Sequence, residues 1–102
     1  MQHSAPSMTQ TEKDRLLDEW MRDFGDDIFR LCFIILQDRM LAEDASQEVF
    51  IKAYKRADTL RQREYTKTWL VSIAVNTCRD IRRSAWLRHI DQRIALEDLP
   101  PA

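Results

Sequence analysis

The chain has 102 residues, 44 % of them apolar and 32 % charged, with a formal net charge of −1. That is enough chain for one domain and enough apolar content for a modest core, which excludes intrinsic disorder. The longest apolar run, Leu31 to Leu36, is far short of the ~20 residues a membrane-spanning helix needs, so no membrane insertion is expected.

Met1 to Met8 is polar and unpatterned, with no basic start followed by an apolar segment, so it does not read as a secretory signal. Residues 1–10 are expected to be a disordered leader or a tag remnant. Thr11, followed three residues later by Asp14, reads as the cap of a first helix. Leu17, Met21, Phe24, Ile28, Leu31 and Ile35 then recur at steps of three and four, an amphipathic stripe. Gly25, the sole glycine, either kinks this helix or divides it in two. Gln37 to Met40 is a short polar break. A second helix runs from about Leu41 to Arg56, with Ala45, Val49, Phe50, Ala53 and Tyr54 inward and Glu43, Asp44, Gln47 and Glu48 outward.

Asp58 to Lys67 reads as a polar loop of about ten residues, long enough to have a role of its own. Thr66 or Thr68 caps a third helix. Leu70, Ile73, Ala74, Thr77, Cys78 and Ile81 form its apolar stripe, and Asn76, Arg79, Arg82 and Arg83 lie off it. Trp86, Leu87 and Ile90 either extend this helix or turn back onto the core. Glu97 to Ala102, ending in Pro100-Pro101, reads as a tail. Neither glycine nor proline occurs from Asp26 to Leu99. Sheets lean on those residues for tight turns, so the fold is expected to be all-α.

Charge is distributed unevenly. Residues 1–50 carry 5 basic and 11 acidic residues, net −6, and residues 51–102 carry 11 basic and 6 acidic, net +5. Such asymmetry fits a basic half that meets a phosphate backbone. It equally fits solvated helix faces that neutralise each other within the fold.

Little here supports catalysis. The two histidines, His3 and His89, have no obvious partner, and one glycine cannot build a phosphate-cradling loop. Glu43, Asp44 and Glu48 share a helix face, but the Glu-x-x-His companion of a carboxylate metal centre is absent. Cys32 and Cys78 belong to no C-x-x-C pair and read as buried thiols of a reducing compartment. No enzyme, metal or cofactor is expected.

Four segments together resemble region 2 of bacterial sigma factors of the extracytoplasmic-function (ECF) group. Ala42-Glu43-Asp44-Ala45-Ser46-Gln47-Glu48-Val49-Phe50 resembles the A-E-D-x-x-Q-E-x-F signature. Thr68-Trp69-Leu70 followed by Ile73-Ala74-Val75-Asn76 resembles T-W-L-x-x-I-A-x-N, and Asp80-Ile81-Arg82-Arg83 resembles the D-x-x-R ending. Asp27 to Leu31, with Leu36, resembles the first core helix. The order is preserved over about residues 11 to 90.

The resemblance implies a compact three- to four-helix bundle over residues 11–92, with residues 93–102 beginning an inter-domain linker. It also implies a cytoplasmic promoter-specificity subunit of RNA polymerase. Asp44, Gln47 and Glu48 occupy the positions that dock on the beta-prime clamp coiled coil. The loop and third helix would read the −10 promoter element, capturing a base flipped from the single-stranded non-template strand. Arg61, Arg63, Tyr65, Lys67 and Asn76 match the base-reading positions, and Lys67, Arg79, Arg82 and Arg83 the phosphate contacts. An anti-sigma regulator is an implied partner. A helical module devoted chiefly to binding such a regulator is the alternative reading. Nothing corresponds to the family's second domain, region 4, so the chain reads as an isolated region 2.

Overall fold

The computed structural model describes residues 8–97, with side chains as far as Ile90. The expected leader lies outside the described residues as far as Ser7, as does the expected tail beyond Glu97. Three α-helices, α1 (Gln10–Leu36), α2 (Arg39–Lys55) and α3 (Thr66–Glu97), make up most of the described chain, which contains no strand. The all-α expectation is borne out.

α1 begins at a capping box. The Thr9 hydroxyl accepts from the Glu12 amide at 3.1 Å, and the Glu12 carboxylate accepts from the Thr9 amide at 2.9 Å. The cap is therefore Thr9, not Thr11, because only Thr9 has a glutamate three residues on. Thr9 and Gln10 thus belong to the fold, although the sequence reading placed them in the leader. Gly25 neither kinks nor splits the helix, which runs unbroken for 27 residues. Its φ is not positive, and a Cβ there would meet nothing within 4 Å.

The buried line of α1 is Leu16, Trp20, Ile28 and Cys32. Of the expected stripe only Ile28 is fully buried, while Met21 is 51 % exposed. The apolar face is wide because α1 packs against both α2 and α3. Leu17, Phe24, Leu31 and Ile35 flank the buried line, half-covered, rather than forming it.

Gln37 ends α1 in the left-handed conformation, φ 55°, with its amide donating to the Phe33 carbonyl at 2.7 Å. Asp38 follows at once as the cap of α2, its carboxylate accepting from Leu41 at 2.9 Å. Two residues therefore reverse the chain, and α1 and α2 form an antiparallel hairpin. At the far end, the Tyr54 hydroxyl donates to Asp14 at 2.8 Å and accepts from the Gln10 amide. That bond to Asp14 holds the Tyr54 hydroxyl above its ordinary pKa. The buried positions of α2 are Ala42, Ala45, Val49, Phe50 and Ala53; Tyr54, expected inward, is instead half-covered, because its hydroxyl reaches out to Asp14 at the surface.

The segment after α2 is more ordered than a loop. Single 3-10 turns occupy Ala57–Thr59 and Arg63–Tyr65. Thr59 and Thr66 each donate a hydroxyl back to a carbonyl three residues earlier, Arg56 at 2.6 Å and Arg63 at 2.7 Å. Thr66 is thus a donor at the start of α3, not an accepting cap, and Lys67 lies inside the helix. Leu70, Ile73, Ala74, Thr77 and Cys78 are buried as expected, with Ile81 half-covered. Trp86 and Leu87 do not turn back. α3 continues through Glu97, across the boundary at which the sequence reading began a linker.

Cys32 and Cys78 are free, fully buried and adjacent across the α1–α3 contact. Burial first, then the neighbouring Cys78, pushes the Cys32 thiol up to about 12. Burial also raises Cys78. Both thiols are held neutral and unreactive, as structural core residues.

Candidate functional site

Two surfaces carry the candidate residues. The first is the exposed crest of α2. Asp44, Gln47 and Glu48 are all exposed, at steps of three and four. The crest separates two grooves. On one side, Asp44 and Glu48 border a polar groove of about 400 Å³ between α2 and α3, together with Lys52, Asp80 and Arg88. On the other, Gln47 borders an apolar groove of about 530 Å³ between α1 and α2, with Leu17, Met21, Phe50 and Ile51. The three residues face outward as one ridge with different chemistry on each flank. Carboxylates on such a ridge suit a cationic partner through charge-assisted hydrogen bonds.

The floor of the polar groove holds a contact absent from the sequence reading. Lys52 Nζ donates to Thr77 Oγ1 at 3.0 Å, and Thr77 is only 1 % exposed. This bond joins α2 to α3 one residue from Asn76. No sequence signal marks it, since a lysine among outward-facing bases looks like a solvated residue.

The second surface lies where the 3-10 segment meets the start of α3. Thr59, Arg61, Gln62, Tyr65, Trp69 and Ser72 are among the residues that line a cleft of about 320 Å³ there. Tyr65 is 56 % exposed. Trp69 is half-buried and packs edge-on against the buried Trp20, ring centres 5.3 Å apart at 65°. The cleft therefore has one aromatic wall fixed by the core and another open to solvent, with a guanidinium and an amide at hand. Such an arrangement suits stacking against a flat unsaturated ring, with hydrogen-bonding groups beside its edge.

The base-reading residues expected from sequence do not all gather there. Arg61 and Tyr65 line the cleft, whereas Arg63 is exposed and not among its lining residues. Lys67 is engaged elsewhere, its ammonium 3.3 Å from Asp27 of α1. Nine residues separate Lys67 from Asn76, half a turn at 100° per residue, so they stand on opposite sides of α3. Asn76 is exposed one helical turn beyond Ser72, at the edge of the cleft rather than in it. Arg79 and Arg83 continue from Asn76 along that exposed face, and Arg82 is exposed about 120° around the helix from Asn76. Arg88 lies on the other side, in the polar groove. Gln62 lies within the loop expected to read the promoter, whereas nothing in the sequence marks Thr68 and Ser72 as cleft residues, because single polar residues carry no pattern. The spacing of Tyr65 and Trp69, four residues, was the signal available.

Among the described residues no group of three or more His, Cys, Asp or Glu is placed to hold a metal ion, and no helix is long and apolar enough to cross a membrane. The sigma-70 region 2 family model matches residues 20–88, and the chain belongs to that family. It is 36 % identical over 73 residues to the ECF RNA polymerase sigma factor SigW of Bacillus subtilis (strain 168), covering 71 % of this chain and 39 % of that protein. It is 31 % identical over 84 residues to the RNA polymerase sigma-H factor of Pseudomonas aeruginosa, covering 82 % and 44 %. It is 34 % identical over 74 residues to the ECF RNA polymerase sigma factor SigX of B. subtilis, covering 70 % and 36 %. The ECF region 2 resemblance drawn from the four motifs is thereby borne out. The chain spans 36–44 % of the length of these relatives. No solved structure matches it.

Proposed function

We propose that this domain acts in transcription initiation as part of a promoter-specificity subunit of bacterial RNA polymerase, working in the cytoplasm. The observation that carries the reading is the family match over residues 20–88, joined to two separate exposed surfaces of opposite character. The acidic crest of α2, Asp44, Gln47 and Glu48, docks on the polymerase clamp coiled coil. The cleft between the 3-10 segment and α3 receives a base flipped from the non-template strand of the −10 element. Tyr65 and Trp69 flank that base, Arg61 reaches its edge, and Asn76 reads its neighbour as an amide that both donates and accepts. Arg79, Arg82 and Arg83 hold phosphates, which fixes the register of the strand without specifying its sequence. Lys67 and Arg63 stand outside the cleft and serve, in this reading, as flanking charge.

The apolar groove beside Gln47 favours a second, compatible role, since an amphipathic helix of an anti-sigma regulator would seat its apolar face there and cover the crest. The base-reading claim is tested with labelled single strands carrying a matched or mismatched −10 element. Wild type should prefer the matched strand, and Asn76→Ala should lose most of that preference while staying folded by circular dichroism. Equal binding of both strands by wild type would refute base reading.

A further inference from the structure

Trp86 is 60 % exposed, the most exposed aromatic ring among the described residues. One exposed apolar residue needs no explanation by itself. Its position on α3 gives it meaning. At 100° per residue, Thr68, Ser72, Arg79 and Trp86 fall within about 40° of one line along the helix, with Arg82 and Arg83 on either side. Thr68 and Ser72 line the cleft. The stripe therefore runs from the cleft, over the half-buried Val75, past the arginines, to the tryptophan.

It carries three arginines and no carboxylate, and among the described residues none of the three is ion-paired. Asp80 lies about 120° around the helix from Trp86 and borders the polar groove instead. Fourteen residues separate Ser72 from Trp86, about 21 Å at 1.5 Å per residue. At the 3.4 Å rise of a stacked strand that is about six nucleotides.

We propose that Trp86 is a second aromatic contact for DNA, lying against the same strand about six nucleotides from the cleft-bound base. An indole bordered by guanidinium groups suits this task. The arginines neutralise phosphates, and the ring covers the flat face of a base or sugar, whatever its sequence. The surface is thus a track with an aromatic station at each end and phosphate clamps between. This inference rests on the cleft holding a nucleotide. It adds a contact at the far end of the helix, which contributes affinity and reach without base preference.

The test uses the 102-residue chain and labelled DNA followed by fluorescence anisotropy. One probe is a six-nucleotide single strand whose cleft-binding base is central, so that neither end spans the 21 Å to Trp86. The others extend it by eight nucleotides at either end, once unpaired and once base-paired. Extension on one side should tighten wild-type binding, and the two extended forms report whether Trp86 meets an unpaired base or duplex backbone. Trp86→Ala should lose about tenfold on that extended probe, the worth of one stacked ring, and bind the six-nucleotide strand as wild type does. Trp86→Phe should retain most of the gain. Equal affinity of Trp86→Ala and wild type for every extended probe would overturn the inference. Concentration-dependent self-association lost in Trp86→Ala, with DNA binding unchanged, would also overturn it and assign the ring to a protein contact. Failure of wild type to hold the six-nucleotide strand would count against the cleft instead.

Discussion

Lys52→Met removes the one side-chain hydrogen bond that joins α2 to α3 among the described residues. Methionine preserves the length of the stem, so apolar contact along α3 is largely kept. What goes is a charged donor 3.0 Å from a hydroxyl that is 1 % exposed. Hydrogen bonds to charged groups contribute about 1.5–3 kcal/mol. Lys52 is only half-buried, so solvent screens the charge and the lower end applies, about 1.5 kcal/mol. Thr77 keeps a local outlet for its own proton, since helical threonines donate to the preceding turn. For a domain of this size the midpoint of thermal unfolding should fall by about 6–12 °C. Urea unfolding followed by circular dichroism provides the free energies for Lys52→Met, Thr77→Val and the double variant. The double variant should cost less than the two singles together, with a coupling of about 1 kcal/mol. Additive costs, with coupling below about 0.3 kcal/mol, would refute the claim that this bond fixes α3 against α2.

The adjoining residues of the α1–α2 turn should respond in opposite directions. Gln37→Gly relieves a left-handed backbone that a side chain tolerates poorly and should stabilise by about 0.5–1 kcal/mol, whereas Asp38→Ala removes the cap of α2 and should cost about 1 kcal/mol. A lower thermal midpoint for Gln37→Gly would contradict the strain at Gln37, and an unchanged or higher one for Asp38→Ala would contradict the cap. The core thiols predict a pH dependence. The unfolded chain releases the Cys32 proton near its ordinary 9.0 and the folded chain near about 12, so stability is lost as pH rises across that interval, by up to about 1.4 kcal/mol per unit. Above pH 9 the urea midpoint of wild type should therefore fall more steeply than that of Cys32→Ala, and parallel curves would contradict the raised thiol. Arg79→Ala should weaken all DNA sequences alike and flatten the salt dependence by about one counterion, and an unchanged slope would remove Arg79 from the phosphate track.

α2 and α3 were legible because their buried residues, Ala45, Val49, Phe50 and Ala53 on one and Leu70, Ile73, Ala74, Thr77 and Cys78 on the other, fall at the spacing their sequences show. α1 was legible as a helix but not in its facing. It buries Leu16 and Trp20 while the equally periodic Leu17 and Met21 border a groove. Periodicity alone does not rank two neighbouring stripes. The Thr9–Glu12 capping box was present in the sequence and outweighs the Thr11–Asp14 alternative, because the longer glutamate reaches back to the cap amide. The segment between α2 and α3 read as a loop because its order comes from threonine hydroxyls bonding backward, which leaves no hydrophobic pattern. The motif residues Asp44, Gln47, Glu48 and Asn76 were found by resemblance and prove exposed. The Lys67–Asp27 pair and the Lys52–Thr77 bond depend on side chains meeting across elements, which spacing along one element does not reveal.

The most direct test is capture of core RNA polymerase by this domain, beside a triple variant, Asp44→Ala, Gln47→Ala and Glu48→Ala, shown by circular dichroism to be folded. Capture by wild type and its loss in the variant is the predicted result and would place the polymerase contact on the crest of α2. Failure of wild type to capture the enzyme, or equal capture by the folded variant, would contradict that claim.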